Sequence, residues 1–164
     1  MGTEQRSPQK KGNAMKTTIG IDPGKSGAVA VIQDNGEAYA TTFVDDSIGS
    51  TVSEILTLHK DENVCVYLEK VHAFPGQGVS SSFAFGRAFG EVIGALDAIQ
   101  APYRLVTPQA WQKPILWLPK KKDGATAHKR ALKTEAQRKF PSCKPTLKTC
   151  DALLIADWGS RDRI

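Results

Sequence analysis

Two short apolar runs near the start of the chain, each followed by a turn signal, restrict the fold most. Residues 17–22 (TTIGID) precede a Pro-Gly pair, residues 27–33 (GAVAVIQ) follow it, and the DNG of 34–36 leads into EAYATTF. Runs of this length and composition are typical of buried strands, and Asn-Gly between such runs is a strong hairpin signal. The sequence therefore predicts an antiparallel meander of three strands.

After the meander, helix and strand signals alternate. We predict a helix over about 51–59, a strand at 64–69 (VCVYLE), a Gly-, Pro- and Ser-rich loop at 70–80, a helix to about 99, a strand at 103–107, a helix or turn from PQAW at 108–111, a basic helix over 126–139, and a last helix over about 147–158. This order indicates an α/β fold with a five-stranded mixed sheet, the meander at its N-terminal end, and helices packed on both faces.

Length and composition indicate one domain. The chain has 164 residues, of which 40% are hydrophobic, enough for one core. We predict a disordered polar tail over residues 1–14 and a single domain over 15–164.

No apolar run reaches transmembrane length, the tail lacks the apolar centre of a signal peptide, and three cysteines (Cys65, Cys143, Cys150) form no C-x-x-C pair. An intracellular protein in a reducing compartment, without a membrane partner, is expected.

The charge is unevenly distributed along the chain. Residues 1–100 carry 8 Lys/Arg and 12 Asp/Glu, a balance of −4, whereas residues 101–164 carry 14 and 5, a balance of +9. A basic half favours a polyanionic partner, although a solvated basic face is the alternative.

Two carboxylates stand at the ends of predicted strands. Asp22 closes the first run and Glu69 closes VCVYLE, each after nearly continuous apolar residues. If the two strands are neighbours, a spacing of about 4.8 Å brings the carboxylates close together. Their repulsion then raises one of the two pKa values unless a cation lies between them.

A third acid, Asp151, lies in an apolar stretch. At helical spacing its neighbours are Leu147, Leu154 and Ile155, so its predicted helix face is apolar. An unpaired ionised carboxylate on such a face is costly, and a divalent cation shared with Asp22 and Glu69 would remove that cost.

Each acid also has a structural interpretation. In this interpretation Asp22 only caps the Pro-Gly turn and Glu69 only pairs with a lysine. Asp151 then only complements the helix dipole, which stabilises a helix by about 0.3–1 kcal/mol. The combination of the three favours a metal site.

The ligand chemistry narrows the choice of metal. Carboxylate ligands without a His/Cys cluster favour Mg²⁺ or Mn²⁺ over zinc. Such sites suit phosphoryl transfer, in which two metal ions about 3.5–4 Å apart activate a water and stabilise the leaving oxygen. We interpret His59, His72 and His128 as surface residues rather than ligands.

Four segments together resemble the RuvC family of Holliday junction resolvases, in the small form found in phages. They are IGIDPGKSGAVAVI, VYLEKVHAF, FGRAFGEVIGAL and DALLIADWG, which follow the family's order and spacing across about residues 16–159. The resemblance implies an RNase H-like fold, a homodimer, and Mg²⁺-dependent nicking of two symmetrically placed strands of a four-way DNA junction. It also implies 5′-phosphate and 3′-hydroxyl ends, and the cytoplasm of a bacterial host if a phage encodes the chain.

On this resemblance, Asp22, Glu69 and Asp151 match three metal-binding acids of the family. The family's fourth acid lies one helical turn before the last aspartate, where this chain has Lys148. Either three carboxylates suffice or Lys148 contacts phosphate. Asp157 is a poor substitute, because six residues along a helix turn the side chain by about 240°.

Basic residues are also matched. Lys113 and Lys129 fall where the family has lysines close to the scissile phosphate, and a cation there would stabilise the transition state. Residues 113–144 hold ten Lys/Arg and two acids, which predicts either a DNA-facing surface or a general basic one. The DNA-contacting candidates are Lys113, Lys120, Lys121, Lys122, Arg130 and Lys133.

The loop after Glu69 has a counterpart in the family, in which an aromatic side chain wedges into the junction centre. His72 is at the matching position and Phe74 lies two residues later. Either could stack on a base for about 1–3 kcal/mol, and a core role for Phe74 is the alternative.

Three glycines recur every four residues in a predicted helix, at Gly86, Gly90 and Gly94. Each costs about 0.8–1 kcal/mol of helix stability relative to alanine. Close approach of another backbone would compensate, either that of the sheet beneath or that of a second subunit.

Three functions compete with a junction-resolving endonuclease. The segment IGIDPGKSG also resembles the phosphate hairpin of actin-like ATPases and sugar kinases, but those enzymes need two such domains. A branched-DNA-binding protein without cleavage activity is the second alternative. The third is another RNase H-like nuclease acting on RNA or duplex DNA.

Overall fold

A computed structural model describes residues 15–24, 26–43, 47–70, 78–120 and 124–162. Its elements are β1 (Lys16–Asp22), β2 (Ala28–Gln33), β3 (Ala38–Thr42), α1 (Ile48–Leu58), β4 (Asn63–Glu69), α2 (Val79–Ala98), β5 (Tyr103–Val106), α3 (Pro108–Gln112), α4 (Ala125–Lys139), a 3₁₀ turn (Pro141–Cys143) and α5 (Cys150–Arg161). The predicted tail at 1–14 and the candidates His72, Phe74, Lys121 and Lys122 lie outside the described residues.

The five strands form one mixed sheet in the order β3-β2-β1-β4-β5. β1, β2 and β3 are antiparallel neighbours, whereas β4 runs parallel to β1 and β5 runs parallel to β4. The predicted meander and the five-stranded mixed sheet are therefore confirmed. Residues 17–21 of β1 and 66–68 of β4 are buried, as expected for central strands of a sheet that is covered on both faces.

Helices cover both faces of the sheet, as predicted. α1 and α2 pack on the face that carries Ile19, Ile21 and Leu68. α5 covers the opposite face, where Tyr67 and Leu154 belong to a second core that α3 and α4 complete. None of the helices that the structure describes is long and apolar enough to cross a membrane.

α5 lies directly against β1 at Gly20. A Cβ on Gly20 would come within 2.3 Å of the carbonyl oxygen of Ala152 and 2.4 Å of the amide nitrogen of Ala156. Further along the helix, a Cβ on Gly159 would meet the ring of Tyr67, which is the register partner of Gly20 on β4. These contacts fix where α5 begins relative to the carboxyl ends of β1 and β4.

The start of α5 differs from the prediction. The helix begins at Cys150, because a turn precedes it in which the Thr146 amide donates to the Thr149 hydroxyl at 2.9 Å. Leu147 therefore precedes the helix and is 46% exposed, so it does not extend an apolar helix face, whereas Leu154 and Ile155 are buried. Asp151 consequently occupies the first turn of α5.

The interpretation of the histidines as surface residues is wrong for the two that the structure describes. His59 and His128 are both buried. His59 Nε2 lies 2.9 Å from the Tyr39 hydroxyl, and His128 Nδ1 lies 2.6 Å from the carbonyl oxygen of Pro119. These partners come from other elements, so local sequence did not indicate the burial.

The three glycines of α2 do not approach the sheet. A Cβ added at Gly86, Gly90 or Gly94 would meet nothing within 4 Å. They lie on one exposed face of α2 with the exposed side chains of Val79 and Phe83. The interpretation in which the glycines allow close packing on the sheet is therefore wrong.

We predict that Gly20→Ala destabilises the protein by about 1–3 kcal/mol or more, because the added methyl group would collide with backbone atoms of α5. Urea unfolding of the two proteins measures the difference. Gly49→Ala in α1 is the control, because its Cβ would lie 3.6 Å from the nearest atom, an ordinary contact. Equal losses in the two variants would contradict the role of Gly20.

Candidate active site

Asp22 and Glu69 lie at the same end and on the same face of the sheet. β1 and β4 are parallel, and the register pairs Ile21 with Leu68 immediately before the two acids. Side chains alternate along a strand, so each acid points to the same face as the residue two positions earlier. Those residues are Gly20 and Tyr67, which contact α5. Both carboxylates therefore lie on the α5 side of the sheet, at the carboxyl ends of neighbouring strands.

Asp151 is brought to this edge by α5. It precedes Ala152, which contacts Gly20, and its carboxylate forms an ion pair with Lys129 of α4 at 2.5 Å between Nζ and Oδ2. Its other oxygen accepts a hydrogen bond from the Cys150 thiol at 3.3 Å. The Asp151 side chain is only 14% exposed and that of Lys129 is 35% exposed, so a largely buried acid is paired with a half-buried counter-ion.

The pKa of Asp22 is raised from an ordinary 3.8 to about 6, mainly by burial and secondly by the nearby charge of Asp151. The ammonium of Lys129 and the Gly24 amide, which donates to Asp22 Oδ1 at 3.2 Å, oppose the shift. The expected repulsion between carboxylates is therefore present, but Asp151, rather than Glu69, raises the pKa of Asp22.

Lys129 and Cys150 respond differently to the same surroundings. Burial lowers the pKa of Lys129, but the charge of Asp151 and the hydrogen bond to it outweigh burial, so the net shift is upward. Lys129 therefore remains an ammonium. Burial raises the pKa of Cys150 to about 12, so the thiol stays protonated and is not a nucleophile at neutral pH.

Trp111 is a site residue that the sequence analysis missed. Its indole Nε1 donates a hydrogen bond to Glu69 Oε1 at 2.9 Å, and its ring is buried. The register of β4 and β5 pairs Glu69 with Val106, and Thr107 then caps α3, with the Ala110 amide donating to its hydroxyl at 3.3 Å. The sequence did contain a signal for this contact. Trp111 follows closely after the predicted strand at 103–107, which pairs with the strand that ends at Glu69.

The carboxylates of Asp22, Glu69 and Asp151 have the right ligand chemistry for a hard divalent cation. Carboxylate oxygens are the ligands that Mg²⁺ and Mn²⁺ prefer, and a cation would relieve the repulsion between Asp22 and Asp151. Within the described ranges, however, no three His, Cys, Asp or Glu side chains are arranged to hold a metal ion. Lys129 neutralises Asp151, and Glu69 is bound by Trp111. A metal shared by all three acids stays a prediction.

Two residues near Asp151 in sequence lie in different surroundings. We expected Lys148 to lie one turn before Asp151 in the same helix. It is instead exposed in the turn that precedes α5. Asp157 accepts an ion pair from Lys139 at 2.7 Å and a second one from Arg161. Asp157 therefore has two cationic partners of its own, and that it does not replace a fourth acid stays a prediction.

Other predicted cations are spread over the segment after α3 and over α4. Lys133 follows Lys129 by one helical turn and so lies on the same side of α4. The side chain of Lys133 is half-buried, and three other candidates are exposed: Lys113, Lys120 and Arg130.

Comparisons with known proteins identify the fold. No family model and no curated protein matches the chain. The structure of T. thermophilus RuvC in complex with a Holliday junction substrate matches with a TM-score of 0.59 and 16% identity, over 89% of this chain and 95% of that chain. The chain has the RuvC fold. A second Thermus thermophilus RuvC structure matches with a TM-score of 0.56 and 17% identity, over 88% and 95% of the two chains. The RNase H-like fold implied by the RuvC resemblance is thus confirmed.

We predict that Asp22→Asn stabilises the metal-free protein at pH 8 by about 1–3 kcal/mol. The pKa of Asp22 rises from an ordinary 3.8 to about 6 on folding, so the wild type loses stability as the pH rises through this interval. Asparagine has no charge to bury and avoids that loss.

Urea unfolding in EDTA at pH 8 and pH 4 measures the effect, which should be much smaller at pH 4. Asp61→Asn, at an exposed acid, is the control and should show no such pH dependence. A variant no more stable than the wild type at pH 8 would contradict the electrostatic account of Asp22.

Proposed function

We propose that the protein is a structure-selective endonuclease that resolves four-way DNA junctions by paired, metal-dependent phosphodiester hydrolysis. The observation that carries this proposal is the partly buried group of Asp22, Asp151 and Lys129 at the carboxyl end of β1, in a chain with the RuvC fold. A similar solved structure is itself a complex with a Holliday junction substrate. Buried acids that repel one another are typical of sites built to take up positive charge.

Asp22, Glu69 and Asp151 are the residues that would hold Mg²⁺, or Mn²⁺, with two ions per site. When bound, such ions activate a water for in-line attack and stabilise the leaving oxygen, giving 5′-phosphate and 3′-hydroxyl ends. Asp22 has to be ionised to act as a ligand, which its raised pKa allows above about pH 6. Trp111 fixes the orientation of the Glu69 carboxylate through its hydrogen bond.

Lys129 has two roles in this proposal. Its ammonium neutralises Asp151 in the absence of other cations, and its remaining N–H groups can donate to a phosphate oxygen. Lys148, exposed just before α5, is proposed to contact phosphate as well. Lys113 would contribute a further positive charge near the same phosphate.

The proposed DNA-contacting surface carries Lys113, Lys120, Lys121, Lys122, Arg130 and Lys133. Contacts of this kind to phosphates make binding strongly salt-dependent, because each one releases counter-ions. His72 and Phe74 stay the predicted wedge residues after Glu69.

A homodimer is proposed to form through the exposed face of α2. Gly86, Gly90 and Gly94 leave a groove without side chains, and Phe83 is exposed beside them. A second copy of α2 could approach this groove closely, which would offset the cost of three glycines in a helix. Two copies would supply the two active sites that paired nicking requires.

A branched-DNA-binding protein without cleavage activity is the second candidate. Two observations favour it: within the described residues no three-acid metal site is assembled, and Lys148 stands where the RuvC family has an acid. The third candidate is another RNase H-like nuclease, acting on RNA or duplex DNA. Comparing the cleavage rates of a four-way junction, a linear duplex and an RNA–DNA hybrid distinguishes it from a junction resolvase.

We expect the protein to nick a labelled synthetic four-way junction in Mg²⁺ or Mn²⁺ but not in EDTA. Asp22→Asn and Asp151→Asn should each lower the nicking rate by more than about 100-fold, because each removes a metal ligand, while junction binding in EDTA persists. Asp61→Asn is the control. Binding without nicking in either metal would support the binding protein, and faster cleavage of the hybrid or duplex would reassign the substrate.

We expect Gly90→Leu to weaken dimerisation at least about tenfold, because a bulky side chain would separate the two α2 backbones. Sedimentation at several concentrations measures the dissociation constant. Glu54→Leu, on the exposed surface of α1, adds the same side chain elsewhere and should leave it unchanged. A wild type that is monomeric, or a variant that dimerises as strongly, would refute this interface.

A further inference from the structure

Two large apolar side chains are exposed side by side between α3 and α4. Leu116 is 94% exposed and Trp117 is 52% exposed. Single exposed apolar residues are ordinary, but an adjacent leucine and tryptophan are less so, because tryptophan usually buries its ring. No role assigned above uses this pair.

The backbone holds the pair in this outward position. The Ile115 amide donates to the carbonyl of Gln112 at 2.9 Å, and the Leu118 amide donates to the carbonyl of Ile115 at 3.1 Å. The side chains of Ile115 and Leu118 pack against the core that contains Trp111. Leu116 and Trp117 lie between these two inward-facing residues. They are therefore exposed within a hydrogen-bonded turn, not in an irregular loop.

The same segment is anchored at both ends to the acid site, by which we mean Asp22, Glu69, Asp151 and Lys129. At one end, Trp111 donates its hydrogen bond to Glu69. At the other end, the carbonyl of Pro119 lies 2.6 Å from Nδ1 of His128, the neighbour in α4 of Lys129. The exposed pair thus belongs to a segment anchored to Glu69, a proposed metal ligand, and to the neighbour of Lys129, which is proposed to contact the scissile phosphate.

The charge around the pair indicates what it would contact. Exposed Lys113 and Lys120 flank it, and residues 113–144 hold ten Lys/Arg and two acids. A purely apolar peptide would leave these ammonium groups without counter-ions. A nucleic acid offers phosphates for the lysines and the flat face of a base for the indole.

We propose that Trp117, supported by Leu116, stacks on an unpaired or splayed base of branched DNA beside the acid site. This inference rests on the proposed function, and it concerns a contact separate from the predicted wedge at His72 and Phe74. Stacking on an aromatic side chain is tolerant of base identity, so Trp117 would contribute affinity and position rather than sequence preference.

Junction binding in EDTA tests the contact. Trp117→Ala should weaken binding by about 5- to 150-fold, whereas Trp117→Phe, which keeps an aromatic face, should stay within about threefold of the wild type. Leu58→Ala, at another highly exposed leucine on α1, is the matched control and should bind normally. Urea unfolding of Trp117→Ala confirms that the variant is folded.

Salt dependence separates stacking from phosphate contact. Trp117→Ala should leave the slope of log K against log salt unchanged, whereas Lys113→Ala should reduce it by about one. Tryptophan fluorescence gives an independent readout, because saturation with junction should quench the wild type and leave Trp117→Phe largely unquenched. An alanine variant with wild-type affinity, or equal quenching in the wild type and Trp117→Phe, would overturn the proposal.

These outcomes are distinguishable from failure of the nuclease. If the wild type nicks junctions in Mg²⁺ but Trp117→Ala binds normally, the stacking contact is refuted and the nuclease stands. If the wild type binds without nicking and Trp117→Ala binds weakly, the stacking contact stands and the nuclease is refuted. A wild type that does not bind the junction would overturn both.

Discussion

The contact between the backbone of α5 and Gly20 of β1 determines how the two halves of the chain meet. Ala152 and Ala156 contribute backbone atoms that leave no space for a side chain on Gly20. Because the helix is fixed there, its first turn lies at the carboxyl end of β1, and Asp151 comes to lie beside Asp22. The acid site is therefore a consequence of how closely a helix and a strand can pack.

That packing brings together charges that oppose folding. Asp22 is buried near Asp151, and its raised pKa shows that its ionised form is disfavoured in this setting. Lys129 compensates part of the cost by neutralising Asp151. Such an arrangement adds little to the stability of the fold, because hydrophobic residues of similar volume are often at least as stable as a buried ion pair.

The segment from Trp111 to Pro119 connects this interior to the surface. One end donates to Glu69, and the other accepts from His128 beside Lys129. Ile115 and Leu118 face the core and Leu116 and Trp117 lie exposed between them, so the same nine residues both bind Glu69 and present an apolar pair to the solvent. Because the segment is anchored at both ends, it holds the exposed pair in a defined position relative to the Glu69 carboxylate.

Local patterns were sufficient to predict the strands, most helices and the places of Asp22 and Glu69, because strand periodicity, turn residues and helix signals act over a few residues. They did not reveal that Lys129 pairs with Asp151 or that Trp111 binds Glu69, contacts that join residues 22 and 42 positions apart. Nor did they show that α2 leaves its glycines uncovered or that two histidines are buried. Those features depend on which elements pack together, and only the folded chain fixes that, because distant side chains become neighbours when the sheet and helices assemble.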